Sequence, residues 1–151
     1  MKICWAGNIK DPVKGIEEIL IPATKDKYVL NLASNLKHEQ MRDFYNNSDI
    51  YAVCSKNEAT PLPLIESMAC GCFPVVNDVG IVPEIIRHKE NGYIVKERTI
   101  VAYQEAFEWC EKNIEFIRRI GKENARWAFD NKRWEIMAQG YRTMYKQLLK
   151  K

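Results

Sequence analysis

The chain has 151 residues, 46% of them hydrophobic and 28% charged, which suits one packed domain and excludes disorder, collagen-like repeats and a small disulfide scaffold. The 23 Lys and Arg against 20 Asp and Glu leave a net charge of +3, too small and too interspersed to indicate nucleic acid as a partner. No apolar run approaches the roughly 18 residues that cross a bilayer, and residues 1–5 are too short for a signal-peptide core, so a cytoplasmic protein is expected and membrane association is not indicated.

Residues 2–6 read as a buried strand, ended by Gly7-Asn8. A helix is expected over 13–20, opened by Asp11-Pro12, with Ile16, Ile19 and Leu20 on one face and a stop before Pro22. A strand over 28–32 follows, then a helix over 39–46 with Met41, Phe44 and Tyr45 at helical spacing, then a strand over 50–54. A Pro-punctuated loop leads into a helix over 64–70 that Gly71 ends. Next come a strand over 73–76, a short helix over 82–88, the turn Asn91-Gly92 and a strand over 93–95. From residue 99 onward the pattern is helical only, near 99–111, 114–129 and 134–149.

Five strands separated by helices predict an α/β fold, a Rossmann-like doubly wound parallel sheet with C-terminal helices, formed by residues 1–151 as one domain. The last helix places Trp134, Met137, Tyr141, Met144 and Leu148 in one stripe, expected to dock on the domain. Lys146, Lys150 and Lys151 make its end locally basic. The five Cys sit mostly inside apolar runs, where a reduced thiol behaves as a small hydrophobe. Cys70-Gly71-Cys72 lacks a zinc-type spacing, and His38 and His88 are far apart, so no metal site is expected.

In such a sheet, ligands bind beyond the carboxyl ends of the strands, which selects the loops 7–14, 55–66 and 77–84. The middle loop carries Glu58 and Glu66 with seven residues between them. Glu66 is expected in the first turn of the following helix, where the helix dipole favours a carboxylate. By themselves these residues also fit plainer roles: Glu66 as a helix-end charge, Glu58 as a solvated surface charge, and Lys14 as a helix-start lysine.

The order of elements after Ser55 narrows the choice. Glu58, Glu66, Met68-Ala69-Cys70-Gly71, Pro74-Val75-Val76, Gly80, Pro83-Glu84 and Asn91-Gly92 follow one another along 55–95. That order resembles the donor-binding signature of retaining family-4 glycosyltransferases (glycosyl transferases group 1), which have the GT-B fold. Gly7 and Lys14-Gly15 are similar to the family's opening, and the helix around Trp134 to its closing helix, so the likeness covers nearly the whole chain.

The resemblance implies the C-terminal half of a GT-B enzyme and a set of roles. Glu66 would accept hydrogen bonds from the ribose hydroxyls of a nucleoside diphosphate sugar, and Glu58 would contact the donor sugar. Lys14 would neutralise the leaving diphosphate. Gly7 and the N–H groups of Thr60, Leu62 and Leu64 would face the donor, whereas Pro61 and Pro63 have no N–H to give. Asn8 stands where many members carry an Arg, so Lys10 is a candidate to supply the charge. The stretch between Lys14 and Glu58 is shorter than usual, with Ser34-Asn35 as candidate base contacts.

The implied reaction moves a hexosyl group to an acceptor hydroxyl with retention and without a metal or other cofactor. An N-terminal glycosyltransferase domain, in cis or in trans, would hold the acceptor. A fragment, a separately encoded half and a remnant that binds without turnover all fit. Two alternatives stay open: a non-catalytic nucleotide-sugar-binding or docking module, and a sugar-nucleotide epimerase or phosphorylase on the same fold.

Overall fold

Runs that are apolar on both faces form strands only when helices cover both sides of the sheet. The computed structural model describes residues 1–149 and shows this arrangement, so Lys150 and Lys151 lie outside the described residues. β1 (Lys2–Ala6), β2 (Val29–Ala33), β3 (Ile50–Val53), β4 (Phe73–Asn77) and β5 (Tyr93–Val95) form one parallel sheet in the order β2-β1-β3-β4-β5. This is the expected Rossmann-like α/β class. Ile3 pairs with Ile50 and Ile50 with Phe73, so the most apolar residues share one register across the middle of the sheet. The chain runs from β1 outward to β2, then crosses back to β3 and on to β4 and β5, which leaves a crevice at the carboxyl ends of β1 and β3.

The covering helices are α1 (Ile21–Thr24), α2 (His38–Asn46), α3 (Leu62–Ala69), α4 (Val82–Ile85), α5 (Ile100–Lys112) and α6 (Ile114–Asn131), followed by α7 (Trp134–Leu148). Tyr103, Phe107 and Cys110 of α5 and Ile117 of α6 are fully buried. Thr99 starts α5 by accepting the Ala102 N–H on its hydroxyl at 3.2 Å. Cys4, Cys54, Cys72 and Cys110 are buried, and all five thiols are free. Among the described residues, no helix is long and apolar enough to cross a membrane.

Four expectations change. The first helix does not run over 13–20. Asp11 Oδ1 accepts the Val13 N–H at 3.0 Å to close a single tight turn over Pro12–Lys14, and Gly15, at φ 68°, redirects the chain. Wide turns over Ile16–Leu20 then continue through Pro22 to the end of α1, because the widened backbone keeps the preceding carbonyls clear of the proline ring.

α3 begins at Leu62, two residues earlier than expected, since the Leu64 N–H bonds the Pro61 carbonyl at 2.9 Å and Pro63 suits a second helical position. Glu66 therefore sits in the second turn, and no acidic residue occupies the first.

α4 stops at Ile85 rather than 88. Asn91 donates from Nδ2 to the Ile85 carbonyl at 2.9 Å and accepts the Arg87 N–H at 2.6 Å, which satisfies the groups that another turn would have used.

α7 forms where expected but does not dock. None of its residues is buried, and Trp134 is 83% exposed. α5 and α6 bury their own apolar residues against the sheet, whereas the apolar stripe of α7 stays exposed.

Candidate functional site

The crevice at the ends of β1 and β3 is a cavity of about 260 Å³. Gly7, Lys14, Ser55, Glu58, Thr60 and Leu62 all line it, above a floor formed by Trp5 and Tyr51. Lys14 Nζ lies 2.6 Å from Glu58 Oε1, with side chains 26% and 15% exposed. The Ser55 hydroxyl donates to the same oxygen at 2.8 Å. Glu58 Oε1 thus holds two donors, while Oε2 accepts no hydrogen bond among the described residues. The Thr60 and Leu62 N–H groups likewise have no partner among the described residues, because the helix that follows leaves its first donors free. The Leu64 N–H, by contrast, is used within its own turn.

Main-chain contacts lock the three strand-to-helix loops together. The Lys56 N–H bonds the Val13 carbonyl at 2.8 Å and the Ile81 N–H bonds the Ala59 carbonyl at 3.0 Å. Gly80, at φ 53°, is required here: a Cβ would lie 2.2 Å from the Ala59 carbonyl oxygen.

Glu66 lies elsewhere. It lines a second cavity of about 260 Å³ between α3 and α6, with Ile65, Ala69, Phe129, Lys132 and Arg133. Its Oε2 accepts the Tyr45 hydroxyl at 3.2 Å. Burial and then the Glu66 charge push the Tyr45 phenol far above its ordinary value, so it stays protonated and donates.

Asn8 and Lys10 are exposed and do not line the cavity; Asn8 Oδ1 instead accepts the Lys10 N–H at 3.1 Å. Ser34 and Asn35 follow β2, exposed and outside both cavities. Two contributors were missed in the sequence. Ser55 carried one local signal, its place three residues before Glu58, and Tyr45 was assigned to the core face of α2 with no role for its hydroxyl.

Residues 13–127 match the family described as Glycosyl transferases group 1. The chain belongs to that family. Its matches include the N-acetyl-alpha-D-glucosaminyl L-malate synthase of Bacillus anthracis, 26% identical over 114 residues that cover 76% of this chain and 30% of that protein. By structure it is similar to sucrose-phosphate synthase from Thermosynechococcus elongatus, with a TM-score of 0.86 at 20% identity over 98% of this chain and 45% of that one. It is also similar to the C-terminal domain of a glycosyl transferase group 1 family protein from Francisella tularensis, with a TM-score of 0.69 at 19% identity over 87% and 85% of the two chains. The chain spans 30% or less of the length of the curated relatives it matches. It is a glycosyltransferase group 1 domain with the Rossmann-like architecture of GT-B transferases.

Proposed function

We propose that this domain is the donor-binding, C-terminal half of a retaining family-4 glycosyltransferase. It holds a nucleoside diphosphate sugar while a hexosyl group passes to an acceptor hydroxyl. The observation that carries this reading is the Lys14–Glu58 pair in the crevice between β1 and β3, the position where open α/β sheets take their ligands.

The chemistry follows from the groups present. A diphosphate leaving group gains negative charge as the glycosidic bond breaks, and the Lys14 ammonium is the cation in the crevice that meets it. Glu58, partly neutralised on Oε1, has Oε2 free to accept from a sugar hydroxyl. The unpartnered Thr60 and Leu62 N–H groups and the open backbone at Gly7 suit the diphosphate oxygens. Glu66 accepts the ribose hydroxyls, so the nucleoside extends toward the α3–α6 groove. With Lys14 in this role, the reaction is assigned no metal or other cofactor.

An N-terminal half, in cis or in trans, supplies the acceptor and the facing wall of the cleft, so turnover is expected only with that half present. The five free thiols accord with a reducing, cytoplasmic setting.

The test is calorimetric titration with UDP, GDP and ADP and their sugars. One base series is expected to bind, with the sugar nucleotide also giving transfer once a matching N-terminal half is added. Absence of binding by all of them at millimolar concentration overturns the reading.

A further inference from the structure

β3 ends at Val53, and the carbonyls of Val53, Cys54 and Ser55 are each met by a side chain from a distant segment. The Val53 carbonyl accepts the Tyr103 hydroxyl, the Cys54 carbonyl accepts Arg98 Nε at 2.7 Å, and the Ser55 carbonyl accepts Asn77 Nδ2 at 2.7 Å. These captured carbonyls lead directly into the loop that carries Glu58. Buried carbonyls need such partners, but the choice of partner is informative at one of them.

Arg98, in the turn between β5 and α5, is the member that also reaches the other half of the Lys14–Glu58 pair. Its side chain is 19% exposed and lies across Gly15, with Nη2 3.0 Å from Glu18 Oε2. A Cβ on Gly15 would lie 2.2 Å from Arg98 Nη2 and 2.6 Å from the Cys54 carbonyl oxygen, so the residue after Lys14 must be glycine for the guanidinium to pass. Around the same crossing, Cys54 Sγ donates to the Lys14 carbonyl at 3.1 Å and the Lys56 N–H to the Val13 carbonyl at 2.8 Å. One guanidinium thus bonds the Cys54 carbonyl and Glu18 through two nitrogens while passing against Gly15, a planar fork that a lysine lacks.

We propose that Arg98 is a positioning residue that sets the Lys14 ammonium against Glu58 and hence against a bound diphosphate. The assignment rests on the reading of the crevice as a nucleoside diphosphate site. Arg98 touches no ligand; it acts through Gly15 and the Cys54 carbonyl. A merely structural arginine would weaken every ligand together or only lower stability, whereas a positioning role concentrates the loss on the diphosphate.

The experiment compares UDP, GDP and ADP with their nucleosides by calorimetry on the wild type, Arg98→Ala, Lys14→Ala and the double variant. The diphosphate advantage is the ratio of the two affinities. Arg98→Ala is expected to reduce it about tenfold while nucleoside affinity stays within about twofold, and to add nothing once Lys14 is gone. An unchanged ratio, equal losses on nucleotide and nucleoside, or additive losses in the double variant overturn the assignment. If Arg98→Ala does not fold, Arg98→Lys replaces it, with an expected loss of about threefold; an unchanged ratio there is equally fatal. Amide exchange at Lys56, whose N–H bonds the Val13 carbonyl, reads the crossing at Gly15 without ligand and is expected to quicken about tenfold in the Arg98 variant. If the wild type binds none of the three nucleotides, the donor-site reading fails, and unaltered Lys56 exchange would remove the positioning role of Arg98 as well.

Discussion

Glu58 and Glu66 belong to one nine-residue stretch, yet their surroundings differ in kind. Glu58 is engaged in advance, with Lys14 Nζ at 2.6 Å and the Ser55 hydroxyl at 2.8 Å on one oxygen. Glu66 has a single neutral donor, the Tyr45 hydroxyl at 3.2 Å, beside an open groove. A diphosphate that engages Lys14 therefore replaces one anionic partner, Glu58, with another, so the net gain there is a difference between two large terms. A ligand at Glu66 adds hydrogen bonds to a carboxylate with acceptor capacity to spare, and keeps nearly all that they contribute. Affinity should come chiefly from Glu66, and discrimination for the diphosphate from Lys14 and Glu58.

Removing the spare acceptor gives the largest expected effect. Glu66→Ala should weaken nucleotide and nucleoside alike by about 1.5–3 kcal/mol, or roughly ten- to a hundredfold, measured by calorimetry. A loss confined to the diphosphate would reverse the contrast between the two carboxylates.

Lys14→Ala should cost nucleoside diphosphates about tenfold and the nucleoside almost nothing, with the difference shrinking as salt is raised. Equal losses for both ligands would take Lys14 out of its assigned role.

Glu58→Gln separates the two halves of its own pair. A diphosphate without sugar should bind about two- to threefold more tightly, because Lys14 no longer leaves an anionic partner, while the sugar nucleotide loses that advantage. Tighter binding of both would show that Glu58 contributes nothing to the sugar.

Tyr45→Phe is expected to be the mildest on ligands. Nucleotide affinity should stay within about twofold, since Glu66 keeps its charge, while denaturant unfolding reports a stability loss of about 1 kcal/mol from a buried phenol donor. A large affinity loss would make Tyr45 part of the ligand site rather than a support behind it.

The sheet was legible because its strands are apolar on both faces and its loops are punctuated by Gly and Pro, both of them local signals. The α/β rule selected only the loops; Gly7, Lys14, Glu58, Thr60 and Leu62 were grouped by the family resemblance, and the topology gathers the strand ends they follow into one crevice. What escaped was set by particular hydrogen bonds and packing that spacing and composition do not record. The placement of Glu66 depended on a helix starting two residues early, which a short bond between Leu64 and Pro61 decides. The extent of α4 depended on Asn91, six residues beyond Ile85. The bare face of α7 was not legible, because a helical stripe carries no record of whether a partner surface exists. Arg98 was invisible for the same reason, since it meets Cys54 across forty-four positions of chain.

The thiols of this domain can serve as clocks. Burial pushes Cys54 and Cys110 up to about 12, and hydrogen bonding to Cys4 together with burial holds Cys72 high as well, so in the closed fold these groups supply almost no reactive thiolate. They lie on separate parts of the structure: Cys54 just past β3, Cys72 ahead of β4 and Cys110 on α5. Each can meet an alkylating reagent only while its own neighbourhood is open, so the order in which they are consumed records the order in which the molecule loosens.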